Sequence, residues 1–289
     1  MTGGALSTGS PPPIGELPVT FTPRLVVLDV DGTLVGPGLQ VHPRARAAVR
    51  AAASRLPVIL ATGRMYRSAL PWAEDLEVVQ PLVCYQGALV RELPRPEGPG
   101  AVLFEEGLDA EVAVDAVRLA RQRGWHIQGY QDDELICDQD RPETHLYARV
   151  AQVPIHFVDD LAKVVSNGSI KLVCVSDDPA VIEDIVSGLG AALGGRARIT
   201  RSLDQFVEIV SPAVNKARAI DVVCARLGFT VADGLAVGDG SNDMEMLAEA
   251  GCGVAVRSAR PEVLAVADAT CRGPDEAGVA DVLEHFGLA

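Results

Sequence analysis

The stretch LVVLDVDGTL, residues 25–34, runs through four apolar residues and then breaks on Asp29, Asp31 and Gly32. An uninterrupted apolar run this short fits a strand covered on both faces, and such strands belong to parallel sheets flanked by helices. The two acids then lie where the strand ends. In open α/β sheets the crevice beyond the carboxyl ends of the strands is where ligands bind. Alternation along an extended chain puts Asp29 and Asp31 on one side and Val30 on the other, and Gly32 lets the chain turn away sharply. Two carboxylates so placed repel by several kcal/mol at an effective dielectric of about 20, unless a cation lies between them. Taken alone, the stretch also fits an Asp-Gly hairpin turn.

The same rhythm continues. Pro43 to Leu56 is rich in Ala and Arg with Pro near its start, as suits a helix. PVILATGR holds a second buried run, Val58 to Ala61, ending on Thr62 and Gly63. Residues 66–76 read as a helix, and PLVCYQGA as a third strand ending near Gln86 and Gly87. Strand and helix in alternation predict a parallel sheet with right-handed crossovers. From about residue 88 the pattern changes. ALVREL, a Pro/Gly-rich turn at 94–100 and VLFEE read as an antiparallel hairpin. A helix from Glu111 to Arg123, the strands WHIQGY and ELICD, a polar stretch over 138–160, IKLVCVS, a helix near 179–193, RARIT and FVEIV complete an α+β unit. After Pro212 the first rhythm returns: a helix from Ala217 to Leu227, GLAVGDG, a short helix from Met244 to Ala250, GVAV, and surface helices at 261–267 and 278–286. The expected fold is therefore α/β. A Rossmann-like parallel-sheet core is split between residues 23–87 and 211–289, an α+β cap is inserted over 88–210, and residues 1–22 form a disordered tail.

A chain of 289 residues with 48% hydrophobic content can fill one large or two ordinary cores. Its net charge of −14 leaves no basic face to offset phosphate repulsion, which argues against a nucleic-acid or anionic-membrane partner. No apolar run is long enough to cross a bilayer, and the first twenty residues have neither a basic start nor an apolar stretch of signal type. Six scattered cysteines without a CxxC pair read as reduced core thiols, so a cytoplasmic setting is expected. The five histidines show no ligand spacing. QDDEL, with Asp132, Asp133 and Glu134, reads as a solvated hairpin turn, and Trp125 and Tyr130 as core packing in the inserted unit. Oligomeric state is not set by the sequence.

Three strands of the split core end at Asp29, Thr62 and Asp239, with Asp31, Asp243, Asn242 and Lys216 close by in sequence. If the strands share one parallel sheet, all three ends meet at one edge. An all-oxygen acid set with room for water suits Mg²⁺ rather than Zn²⁺. Each residue has a plain alternative: Lys216 solvated on a helix, Thr62 an N-cap, Asp239 and Asp243 turn and cap residues. Their order and common placement favour a shared site.

DVDGT, ATGR, Lys216 and GDGSND together resemble the four motifs of the haloacid dehalogenase superfamily of phosphohydrolases, and the likeness covers nearly everything after residue 24. The insertion between the second and third motifs resembles the type-IIB cap of Cof-type sugar phosphatases. The resemblance implies a Mg²⁺-dependent phosphatase of small phosphate esters. Asp29 would be the nucleophile that forms an aspartyl-phosphate and Asp31 the general acid and then base. Asp29, the Asp31 backbone carbonyl and Asp239 would hold Mg²⁺, with Asp243 helping directly or through water. Thr62 and Lys216 would bind the phosphoryl oxygens, Gly63 and Arg64 would lie on the substrate side, and Asn242 would orient Lys216 or the phosphate. A phosphotransferase or sugar-phosphate mutase, or a silent metabolite-binding protein, is the alternative. Gln86-Gly87 replaces a common Asn-Gly, Arg257-Ser258 a common Gly-Asn, and Ala213 and Ala217 stand where Gly is common; these departures touch substrate-facing or loop positions, not the acid set.

Overall fold

The structure, a computed structural model, describes residues 11–289. The first half of the core comprises β1 (Leu25–Leu28), α1 (Pro43–Ala53), β2 (Val58–Leu60), α2 (Tyr66–Asp75), β3 (Leu82–Cys84), β4 (Leu89–Arg91) and β5 (Val102–Glu105). The inserted cap follows with α3 (Ala110–Arg123), β6 (His126–Gln131), β7 (Glu134–Cys137), α4 (Pro142–Ala151), β8 (Ile155–Phe157), α5 (Leu161–Val165), β9 (Leu172–Val175), α6 (Pro179–Leu193), β10 (Arg198–Leu203) and β11 (Phe206–Val210). The core resumes with α7 (Lys216–Leu227), β12 (Gly234–Gly238), α8 (Met244–Glu249), β13 (Cys252–Val256), α9 (Pro261–Leu264), β14 (Ala269–Cys271) and α10 (Gly278–His285).

The core sheet runs β14-β13-β12-β1-β2, parallel throughout, with β1 and β12 side by side although more than 200 residues separate them. Every residue of β1, β12 and β13 is buried, as strands covered on both faces require. A parallel bridge from Ala61 to Val83 brings β3 next to β2. The hairpin of β4 and β5 pairs antiparallel with β3. It therefore adds to β3 and shares no pairing with the six-stranded sheet.

The N-terminal expectation also needs correcting. Thr270 donates its backbone N–H to Pro12, Ile14–Glu16 forms a short 3-10 turn, and Ile14 is buried in the core. Residues 12–14 thus dock on the β14 edge, and the first ten residues of the expected tail lie outside the described residues. The polar stretch at 138–160 holds α4 and β8, which its charge concealed.

The cap is a six-stranded sheet, β10-β11-β9-β6-β7-β8, antiparallel except between β7 and β8. Alternation assigns its two faces. Leu172, Cys174, Val207 and Ile209 pack with α3, α5 and α6, whereas Val173, Val175, Phe206 and Val210 join the cluster that contains the side chains of the parallel core. Four rings cross from core to cap along that second face: Tyr85, Tyr130, Tyr147 and Phe206, with successive centroids 5.9, 5.6 and 5.0 Å apart. Tyr130 and Trp125 are buried, as their reading as packing residues required.

Candidate active site

The carboxyl ends of β1 and β12 bring Asp29 and Asp239 to the same edge, because the register sets Leu28 against Val237. Lys216 arrives from the first turn of α7, where Asn215 caps the helix by accepting the Arg218 N–H at 2.7 Å. Its ammonium is fully buried and donates to Asp29 Oδ1 at 2.5 Å and Asp243 Oδ1 at 2.6 Å. A solvated surface lysine is therefore excluded. A cation at a helix N-terminus opposes the helix dipole; two carboxylates within bonding distance outweigh that here. Burial lowers the pKa of Lys216, but Asp243 and Asp29 more than reverse the effect and hold it above its ordinary value.

Asp243 builds the loop after β12. Its Oδ2 accepts from the backbone N–H groups of Asp239 and Gly240, at 3.0 and 2.9 Å, while Oδ1 takes Lys216. Asp239 Oδ1 accepts from Thr33 Oγ1 at 2.8 Å. Ligand oxygens of Asp29, Asp239 and Asp243 all lie within 4.8 Å of one another. Crowding has the expected electrostatic cost. Desolvation first, then the Asp243 charge, pushes Asp239 up to about 6 and raises Asp29 as well, despite Lys216. Two buried carboxylates and a third, half-buried one beside a single ammonium leave an excess of negative charge. A hard divalent cation with oxygen ligands relieves it, so the donor set fits Mg²⁺. Gly32 is needed beside this set: its φ is +87°, and a Cβ there would come within 2.2 Å of Asp239 Oδ2.

Arg64 lines the cavity and is itself held by the protein. It is buried, and its guanidinium binds Asp31 through Nε and Nη2 while Nη1 reaches Ser68 Oγ at 3.2 Å and the Val150 carbonyl at 3.4 Å. Thr62 is fully buried, and its Oγ1 accepts the Arg64 backbone N–H at 3.1 Å. It is not the N-cap of α2, which begins four residues later. Asn242 bonds neither Lys216 nor any other charged group among the described residues; its amide donates to Gln86 Oε1 at 2.7 Å. Gln86, with Tyr85 in the left-handed region, thus ties the end of β3 to the loop after β12.

These residues floor a cavity of about 50 Å³, with Asp29, Asp31, Gly63, Arg64, Asp239 and Asn242 below and Tyr147, Val150, Leu203, Phe206 and Glu208 of the cap above. The sequence reading missed the cap side. One signal was available there: Lys171 and Glu208 are single charges inside apolar strands, and both are buried and paired at 3.2 Å. Asp133 was misread as solvated. From the β6–β7 turn it accepts the first two N–H groups of α2, Tyr66 and Arg67, at 2.9 and 2.8 Å, and the Tyr85 hydroxyl at 2.7 Å. It caps a core helix from the cap domain, since Met65 at the N-cap offers no side-chain bond.

A family model described as haloacid dehalogenase-like hydrolase matches residues 26–283. The HMP-PP phosphatase of Cronobacter sakazakii is 28% identical over 246 residues, spanning 84% of this chain and 87% of that protein. The phosphoglycolate phosphatase of Archaeoglobus fulgidus is 27% identical over 268 residues, spanning 93% and 99%. Among solved structures, a haloacid dehalogenase-like hydrolase from Bacteroides thetaiotaomicron superposes with a TM-score of 0.80 at 27% identity, over 92% of this chain and all of that one.

Proposed function

Because the chain belongs to the haloacid dehalogenase-like hydrolases, we propose that it is a Mg²⁺-dependent phosphatase of small phosphorylated metabolites that works through a phosphoryl group carried on Asp29. The observation that carries the reading is Lys216, buried between Asp29 and Asp243 with Asp239 alongside. A binding protein has no use for three carboxylates, two of them buried, crowded round one ammonium.

Asp29, the backbone carbonyl of Asp31 and Asp239 would hold Mg²⁺, with Asp243 helping directly or through water, and the ion would supply positive charge opposite the phosphoryl oxygens. Lys216 takes Asp29 Oδ1, and Oδ2 has no protein partner among the described residues, which suits it to attack. In the first half-reaction an Asp29 oxygen bonds to phosphorus as the ester P–O bond breaks, and Asp31 gives its proton to the leaving alkoxide. In the second, Asp31 takes a proton from water as the water oxygen attacks phosphorus, and the Asp29–phosphorus bond breaks to release inorganic phosphate. Lys216 and Thr62 stabilise the charge spread over the phosphoryl oxygens.

The cap roofs this site. A cavity of 50 Å³ is several times smaller than the roughly 300 Å³ of an ordinary ligand pocket, so the cap must move to admit a substrate. Tyr147, Val150, Leu203 and Phe206 supply an apolar wall for the leaving group, and sugar phosphates or similarly small esters are the substrate class. Six free, buried thiols support a cytoplasmic setting. Inorganic phosphate release from a panel of phosphorylated sugars, cofactor precursors and short acids, with Mg²⁺ and with EDTA, tests the reading. No release from any member would overturn it.

A further inference from the structure

Three consecutive carbonyls follow β2, and each has a separate holder. Thr62 O accepts the Gln86 N–H at 3.1 Å and Arg64 O accepts the Tyr85 N–H at 3.0 Å, both from the core turn after β3. The middle one, Gly63 O, is taken by the cap: Lys171 Nζ donates to it at 2.9 Å. We infer that Lys171 is a positioning residue that sets the phosphoryl-binding loop when the cap docks, by fixing the Gly63–Arg64 peptide and through it the hydroxyl of Thr62. The role in turnover rests on the phosphatase reading; the positioning itself does not.

The linkage is short. Gly63 C=O and Arg64 N–H are the two ends of one planar peptide group. That N–H is the one donated to Thr62 Oγ1. A hydroxyl oxygen that accepts this bond keeps its own proton to donate elsewhere. Lys171 therefore holds Thr62 in the donor state that an anionic phosphoryl oxygen needs. Side-chain crowding reinforces the loop, since a Cβ at Gly63 would come within 2.4 Å of the Gln86 amide nitrogen.

Lys171 is built for one position. It is fully buried immediately before β9, on the core-facing side of the cap sheet, with Glu208 on the neighbouring strand at 3.2 Å and the rings of Tyr130 and Tyr85 at 5.2 and 5.6 Å. Burial depresses its pKa, and the Glu208 charge more than restores it, so the ammonium persists. The chain has 22 arginines and only three lysines, and two of those three are buried at this site. A compact ammonium fits between a carbonyl, a carboxylate and two rings where a planar guanidinium would not.

The test compares wild type with Lys171→Met and with the double variant Lys171→Met/Glu208→Gln, which leaves no lone buried carboxylate if the single variant misfolds. Backbone hydrogen exchange at Arg64 should speed up by about tenfold or more in the double variant, on the scale of one lost hydrogen bond, with exchange in β1 and β12 unchanged. The kcat for p-nitrophenyl phosphate should fall roughly 10- to 100-fold, the cost of an ångström's misplacement, with KM and the Mg²⁺ requirement little altered. Wild-type exchange at Arg64, or a kcat within twofold of wild type, would overturn the inference. If wild type itself releases no phosphate, the phosphatase reading fails and the exchange measurement alone decides Lys171.

Discussion

Arg64 grips Asp31 along one edge of its guanidinium, Nε to Oδ2 at 2.7 Å and Nη2 to Oδ1 at 2.6 Å. The pair is bidentate and the arginine is buried, so it fixes the orientation of the Asp31 carboxylate. Arg64→Met should lower kcat by roughly 10- to 100-fold, within the range a general acid contributes. The loss should be larger for alkyl phosphates than for p-nitrophenyl phosphate, whose leaving group hardly needs a proton. Steady-state kinetics on both ester types checks this, and equal losses would count against the assignment.

Asp29→Asn keeps the shape of the site and removes the nucleophile. Phosphate release should fall by about 10³-fold or more, as when other nucleophiles are deleted. EDTA should abolish wild-type release and added Mg²⁺ restore it. Turnover of the variant near the wild-type rate would remove Asp29 from its role.

Without metal, Asp239 should make stability depend on pH. Its carboxyl loses a proton near 3.8 when unfolded and at about 6 when folded. The unfolded state therefore binds fewer protons across that window, and stability falls as pH rises through it. Asp239→Asn should stabilise the metal-free protein at pH 7.5, by at most about 3 kcal/mol, and leave it unchanged below pH 4. Mg²⁺ should stabilise wild type at pH 7.5 and do little at pH 5, where protons occupy the same oxygens. Thermal unfolding with and without Mg²⁺ at these pH values measures both effects.

Asp133→Ala removes the acceptor for two N–H groups at the start of α2. A lost helix cap costs about 1–2 kcal/mol, so the midpoint of thermal unfolding should drop by a few degrees. Because the cap supplies this residue, limited proteolysis near residue 107 should also quicken. An unchanged midpoint would mean that water replaces the carboxylate at no cost.

The core was legible in the sequence because its rules are local. Leu25 to Leu28 and Gly234 to Gly238 are each followed by acids, and a strand covered on both faces leaves such acids nowhere to go but the sheet edge. The order of elements then fixed a split parallel core, and the residue types at the strand ends fixed the oxygen donors of the site. What strand pairing decides was less visible: β4 and β5 look alike whether they continue the core or open the cap, since both readings satisfy the same alternation.

Partners distant in the chain were decided by tertiary structure alone. Nothing near Arg64 marks Asp31 as its counter-ion, nothing near Asp133 marks α2 as the helix it caps, and the hydrogen bond from Lys171 to Gly63 spans 108 residues. The sequence by itself determined which chemistry the chain carries, because that follows from side-chain type and the ends of buried strands. Only the folded structure decided which charges meet, because a buried charge must find its partner in space, wherever along the chain that partner lies.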